Sequence, residues 1–145
     1  MRVLEFAFDG NADNTNKPSN SPENSVAYTG THDNPPFAAY VRSLPESEKQ
    51  RFVRDFRGEC KKFGVDSAAV TPEEYCAEAV RLAFASPSYL CVAPLHDLLA
   101  LGAEARINAP STLSTKNWSF RYPKAQLLSP EVKETLLRLT FEYRR

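Results

Sequence analysis

The sequence predicts an α/β fold built on parallel strands, and three observations lead there. Short apolar runs bounded by turn residues at 3–8, 25–29 and 89–93 read as strands. Helical periodicity fills 46–63 and 72–85, between the second and third of these runs. Strands that alternate with helices pair in parallel, because a chain needs a crossover to return to the same end of a sheet. Three strands cannot close a barrel by themselves, so strands outside this sequence are expected to complete the sheet.

Each element has a local cause. Val3-Leu-Glu-Phe-Ala-Phe8 is short, apolar and aromatic, and it breaks at Asp9-Gly10, giving a buried strand followed by a turn. Residues 10–25 are Asn, Asp, Ser and Pro almost throughout and lack a hydrophobic period, so they form a long polar loop. Ser25-Val-Ala-Tyr-Thr29 is the second strand, and it runs into Gly30-Thr-His-Asp-Asn34. Pro35-Pro36 then sets the backbone for a helical start at Phe37, which Ser43 to Pro45 interrupts. From Glu46, Phe52, Val53, Phe56, Cys60 and Phe63 recur at helical spacing up to Gly64, a C-terminal stop. Thr71-Pro72-Glu73-Glu74 combines an N-cap residue, a first-position proline and acids that meet the helix dipole, and Ser86-Pro87 ends that helix. Tyr89-Leu-Cys-Val-Ala93 is a third buried strand. Leu95 to Leu101 is a short helix with Gly102 as its stop, 103–123 is irregular, and a last helix starts at Ser129-Pro130 with Val132, Leu136, Leu137, Leu139 and Phe141 on its apolar side.

Composition narrows the class. At 145 residues, 42% hydrophobic and 25% charged, the chain suits one globular domain or part of a larger one. Eighteen basic residues balance eighteen acidic ones, which leaves no summed field to draw nucleic acid or an anionic membrane, so a neutral partner is expected. Cys60, Cys76 and Cys91 are odd in number and each lies in an apolar-periodic segment, so they read as buried free thiols. With no basic-then-apolar opening segment, the expected location is cytoplasmic.

Two His-Asp pairs, His32-Asp33 and His96-Asp97, follow predicted strands and fall on one rim of a parallel sheet. Together they offer a divalent metal two imidazoles and two carboxylates, but neither pair has tight ligand spacing, and no metal or cofactor is expected. A Gly-x-Ser-x-Gly elbow and a phosphate-cradling glycine loop are both absent from the sequence. Sugar chemistry fits the residue types better. Phe6, Asp9, His32, Asp33, Asn108 and Trp118 supply hydroxyl-binding groups with aromatic faces behind them. Glycoside cleavage needs two carboxylates about one bond, and Asp9 and Asp33 are the rim pair on offer, with Asp9 equally readable as a turn residue.

These stretches resemble a family. Residues 3–10, Pro22 to Asn34, Leu99-Ala-Leu-Gly102 with Glu104-Ala-Arg106 and Asn108, and Asn117-Trp-Ser-Phe-Arg121 are similar, in order, to the C-terminal portion of the 4-α-glucanotransferases of glycoside hydrolase family 77, the amylomaltases or disproportionating enzymes. The resemblance implies a partial (β/α)8 barrel, residues 1–145 being its last three β/α units with no separate second domain. It also implies transfer of α-1,4-glucan segments by a retaining double displacement without a metal. Asp33 matches the carboxylate that stabilises the transition state, His32 its neighbour in the same subsite, and Phe6, Asp9 and Asn108 positions lining the cleft. The nucleophilic aspartate and acid/base glutamate of the family fall upstream of the matched stretch, so this chain alone is expected to be catalytically incomplete, with the missing N-terminal part of the barrel as partner. The sequence departs from the family pattern at Pro18-Ser-Asn20, Pro35, His96 and Lys116. A non-catalytic glucan-binding remnant and a small metal-binding α/β domain are the alternatives.

Overall fold

The computed structural model describes residues 1–127 and 129–145. Three parallel strands, β1 (Arg2–Val3), β2 (Val26–Tyr28) and β3 (Leu90–Val92), lie in the order β1-β2-β3. The register pairs Val3 with Tyr28, and Tyr28 with Val92. Helices α1 (Phe37–Ser43), α2 (Glu46–Lys62) and α3 (Pro72–Ala85) connect β2 to β3, followed by α4 (Leu95–Leu98) and α5 (Pro130–Tyr143). No helix among the described residues is long and apolar enough to cross a membrane.

The core is an aromatic cluster between the sheet and the helices. Phe8 packs edge-on against Phe52 and Phe56 at 5.4 and 5.1 Å, and Tyr75 closes on Phe56 at 5.4 Å, the edge-to-face geometry that ring quadrupoles favour. Phe37 and Phe56 are fully buried, so α1 and α2 are held through the same cluster.

Local signals placed the two long helices closely. Thr71 accepts from the Glu74 amide at 3.2 Å while Glu74 accepts from the Thr71 amide at 2.9 Å, a complete capping box. Gly64 takes φ 68°, and Val65 N–H reaches Cys60 O at 2.9 Å, which closes α2 in a Schellman turn.

The structure corrects five expectations. The first strand ends at Val3, and Leu4–Phe6 winds into a 3₁₀ turn, because Ala7 N–H bonds Leu4 O at 2.9 Å instead of a neighbouring strand. The third strand is not buried: Tyr89, Leu90 and Val92 are 87%, 51% and 37% exposed, since β3 is an outer strand of the sheet and the described residues leave one of its faces open. α4 stops at Leu98, and its reversal falls on Ala100 at φ 48°, with Leu101 N–H bonded to His96 O at 2.8 Å; Gly102 lies beyond the stop. On α5, Val132 and Leu139 are buried but Leu137 and Phe141 are 59% and 81% exposed. Those two fall five and nine positions after Val132, which at about 100° per residue turns them to the opposite face. Cys60 and Cys76 are buried free thiols as expected, whereas Cys91 is only half-buried.

The polar loop 10–25 is ordered by its own side chains. Asp9, Asn11 and Asn14 each accept from the amide two residues on, at 3.0, 3.0 and 2.8 Å, forming successive Asx turns. Asn16 Oδ1 then accepts from Val3 N–H at 3.0 Å and ties the loop to β1.

Candidate functional site

Beyond the C-terminal end of β2 the chain turns at Thr31-His32-Asp33-Asn34. Asn34 N–H bonds Thr31 O at 3.1 Å, and Asn34 Oδ1 accepts from the Thr31 amide at 3.0 Å and its hydroxyl at 2.7 Å. This closed turn pushes His32 and Asp33 outward, their side chains 56% and 47% exposed.

The long connection after α4 returns to the same place. Asn108 Nδ2 donates to Asp33 Oδ1 at 2.6 Å, and Asn108 N–H donates to His32 O at 3.0 Å. Arg106 donates to Asp33 O at 3.0 Å and, through Nε, to Asn108 O at 2.8 Å. His32 Nε2 sits 3.4 Å from Asp33 Oδ1, and the Trp118 ring lies 5.2 Å from the His32 ring. The result is an exposed carboxylate beside an imidazole, an amide and an indole. Such a group can hold vicinal hydroxyls and set a negative charge against a developing cation.

Of the five site residues expected from sequence, His32, Asp33 and Asn108 are brought into one bonded cluster. Phe6 and Asp9 line a different hollow of about 250 Å³ with Glu5, Tyr40 and Arg51. Asp9 also accepts from Asn11 N–H, which holds its carboxyl below the usual range, so its turn role is real whatever else it does. A larger hollow of about 620 Å³ adjoins the cluster, lined by Arg106, Asn108, Thr112, Lys116, Asn117 and Phe120.

The two His-Asp pairs are not alike. Asp97 is buried, accepting from Thr29 Oγ1 at 2.5 Å and Phe37 N–H at 2.8 Å, and so joins the residue after β2 to the start of α1. His96 is buried as well, its Nδ1 3.0 Å from the Tyr122 hydroxyl, and burial pushes its pKa down. Among the described residues no group of three or more His, Cys, Asp or Glu side chains is placed to hold a metal.

Two participants lay outside the expected site. Arg106 was visible only as part of a motif, and its bond to Asp33 O crosses 73 residues. Glu5 is 4% exposed under the Thr31–Asn34 turn, where the Asn34 carboxamide approaches it. A Cβ on Gly30 would come within 3.0 Å of Glu5 Oε1, so the glycine makes room for the acid. Burial first, then the nearby Asp97, pushes the Glu5 carboxyl up to about 8. The signal in the sequence was a lone charge inside an apolar run.

Parallel strands with a polar and aromatic cluster beyond their C-terminal ends define the class: an α/β chain of the barrel type, with its candidate site at the end where such folds carry theirs. A family model described as 4-alpha-glucanotransferase matches residues 1–127. The chain belongs to that family, glycoside hydrolase family 77. It is 36% identical to the 4-alpha-glucanotransferase of Streptococcus pneumoniae, with 100% of this chain and 26% of that protein aligned. Identity is 37% to the Thermus thermophilus 4-alpha-glucanotransferase, over 90% of this chain and 25% of that protein. For the chloroplastic/amyloplastic 4-alpha-glucanotransferase of Solanum tuberosum it is 33%, over 86% and 20%. The amylomaltase of Streptococcus agalactiae, solved in complex with acarbose, superposes with a TM-score of 0.81 at 27% identity, covering 100% of this chain and 27% of that one. The chain thus spans about a quarter of the length of these bacterial relatives.

Proposed function

We propose that this chain forms the C-terminal part of the catalytic barrel of a 4-α-glucanotransferase, with residues 1–145 one unit and no second domain. Asp33 is its transition-state-stabilising carboxylate, and His32, Asn108, Phe6 and Asp9 bind the α-1,4-glucan. The observation that supports this most directly is the Asn108 clamp on Asp33 at 2.6 Å. A carboxylate fixed by an amide but still exposed is set to meet a cationic transition state, not to bury an ion pair. The nucleophile and acid/base come from the rest of the barrel, which is the partner of this chain. Its location is cytoplasmic, a reading supported by three free thiols.

The test is transglycosylation of maltotriose. The isolated chain is expected to release no glucose and no longer oligomers above a no-protein control. A chimera in which it replaces the matching quarter of the Streptococcus agalactiae amylomaltase is expected to be active, and Asp33→Asn in that chimera to keep substrate binding while losing turnover. Unchanged turnover in the Asp33→Asn chimera would remove the assignment.

A further inference from the structure

We propose that Trp118 is the sugar-stacking platform of this site. This rests on the glucan reading above and gives Trp118, which the sequence set among the sugar-binding residue types, a defined place and mode of recognition. Trp118 is 57% exposed and has φ 62°, in the left-handed region that a bulky side chain rarely enters. Its backbone is held there from both sides. Trp118 N–H donates to Ile107 O at 2.7 Å, and Arg121 Nη1 donates to Trp118 O at 2.8 Å. The preceding Asn117 bridges the loop, accepting from Ala109 N–H at 3.1 Å and donating to Thr112 O at 3.1 Å. Core packing does not explain this conformation, because Trp118 is more than half exposed and is not part of the buried hydrophobic cluster. Strain of this kind persists where the surroundings over-determine it, and such places concentrate at ligand contacts.

The ring's placement supplies the function. Its plane is inclined 37° to that of His32, which itself neighbours the Asp33 carboxylate at 3.4 Å. A pyranose has an apolar face of C–H groups and a rim of hydroxyls. The indole face suits the former, while Asp33, His32 and Asn108 suit the latter. A flat apolar ring set beside hydroxyl-binding groups therefore selects sugars whose C–H face is unobstructed, and it orients them toward Asp33.

Trp118 is the single tryptophan of the chain, so its emission reports on this position alone. Acarbose is titrated into the full chain, followed in parallel by tryptophan fluorescence and by calorimetry. The expected result is a saturable change in emission with the same dissociation constant as the heat. Trp118→Gly should weaken binding by about tenfold, the scale of one aromatic stacking contact. Its unfolding temperature should hold or rise, because glycine accepts the left-handed conformation freely. Trp118→Phe should recover most of the affinity. A merely structural tryptophan would give the opposite pattern, with stability lost and affinity kept. Heat of binding with unmoved emission and an unaffected Trp118→Gly would overturn the platform and leave the site. Absence of both heat and emission change in the parent chain would overturn the platform as a site this chain forms by itself, and an inactive chimera would overturn the glucan reading.

Discussion

Glu5→Gln isolates the most unusual charge in the structure. Glu5 is 4% exposed, its Oε1 has no hydrogen-bond partner among the described residues, and its carboxyl is pushed from 4.5 up to about 8. A raised folded-state pKa means that the fold keeps a proton which the unfolded chain has released. Stability from this group is therefore complete below about pH 4.5 and is lost as pH rises through 8. The shift is worth 1.36 kcal/mol per unit, so the full loss is about 5 kcal/mol, comparable with the whole stability of a small domain. Glutamine has the same shape and carries no charge at any pH. Urea unfolding of both proteins at pH 5, 6.5 and 8 is the assay. Titrating groups that do not interact with Glu5 are common to the pair and cancel in the difference, whereas Asp97, whose charge helps to raise Glu5, contributes to it. The expected difference grows by about 1.4 kcal/mol per pH unit in favour of Glu5→Gln. Parallel curves would mean that Glu5 is ionised in the fold, and the account of the turn above it would fail.

Three further outcomes follow from packing and backbone. Phe56→Ala removes a fully buried ring that touches Phe8, Phe52 and Tyr75, and should cost about 3–5 kcal/mol by denaturant unfolding. Ala100→Gly at φ 48° should gain about 0.5–1 kcal/mol, since relief of left-handed strain exceeds the added entropy of the unfolded chain. Leu90→Lys places a charge on the open strand β3 and should reduce concentration-dependent association in sedimentation, since an unblocked apolar edge templates pairing between copies. An unchanged sedimentation profile would argue that β3 does not mediate association.

Some of this molecule was legible one stretch at a time. The helices α2 and α3 follow from apolar spacing and from caps at Thr71 and Gly64, all interactions within a few residues. The turn at His32-Asp33 and the resemblance that runs through it were legible for the same reason. Tertiary structure decided what depends on distant partners. Asn108 meets Asp33 across 75 residues and Thr29 meets Asp97 across 68. Nothing in the apolar run at 3–8 says that its strand ends at Val3, because a strand extends only as far as its neighbour pairs with it. The same holds for Leu90 and Val92, apolar residues whose exposure reflects an outer strand and not their own chemistry. Sequence determined which side chains are present and how α2 and α3 wind. Burial and charge state, as at Glu5, were fixed only when separate segments closed over the same point, because desolvation is a property of the surroundings and not of the residue.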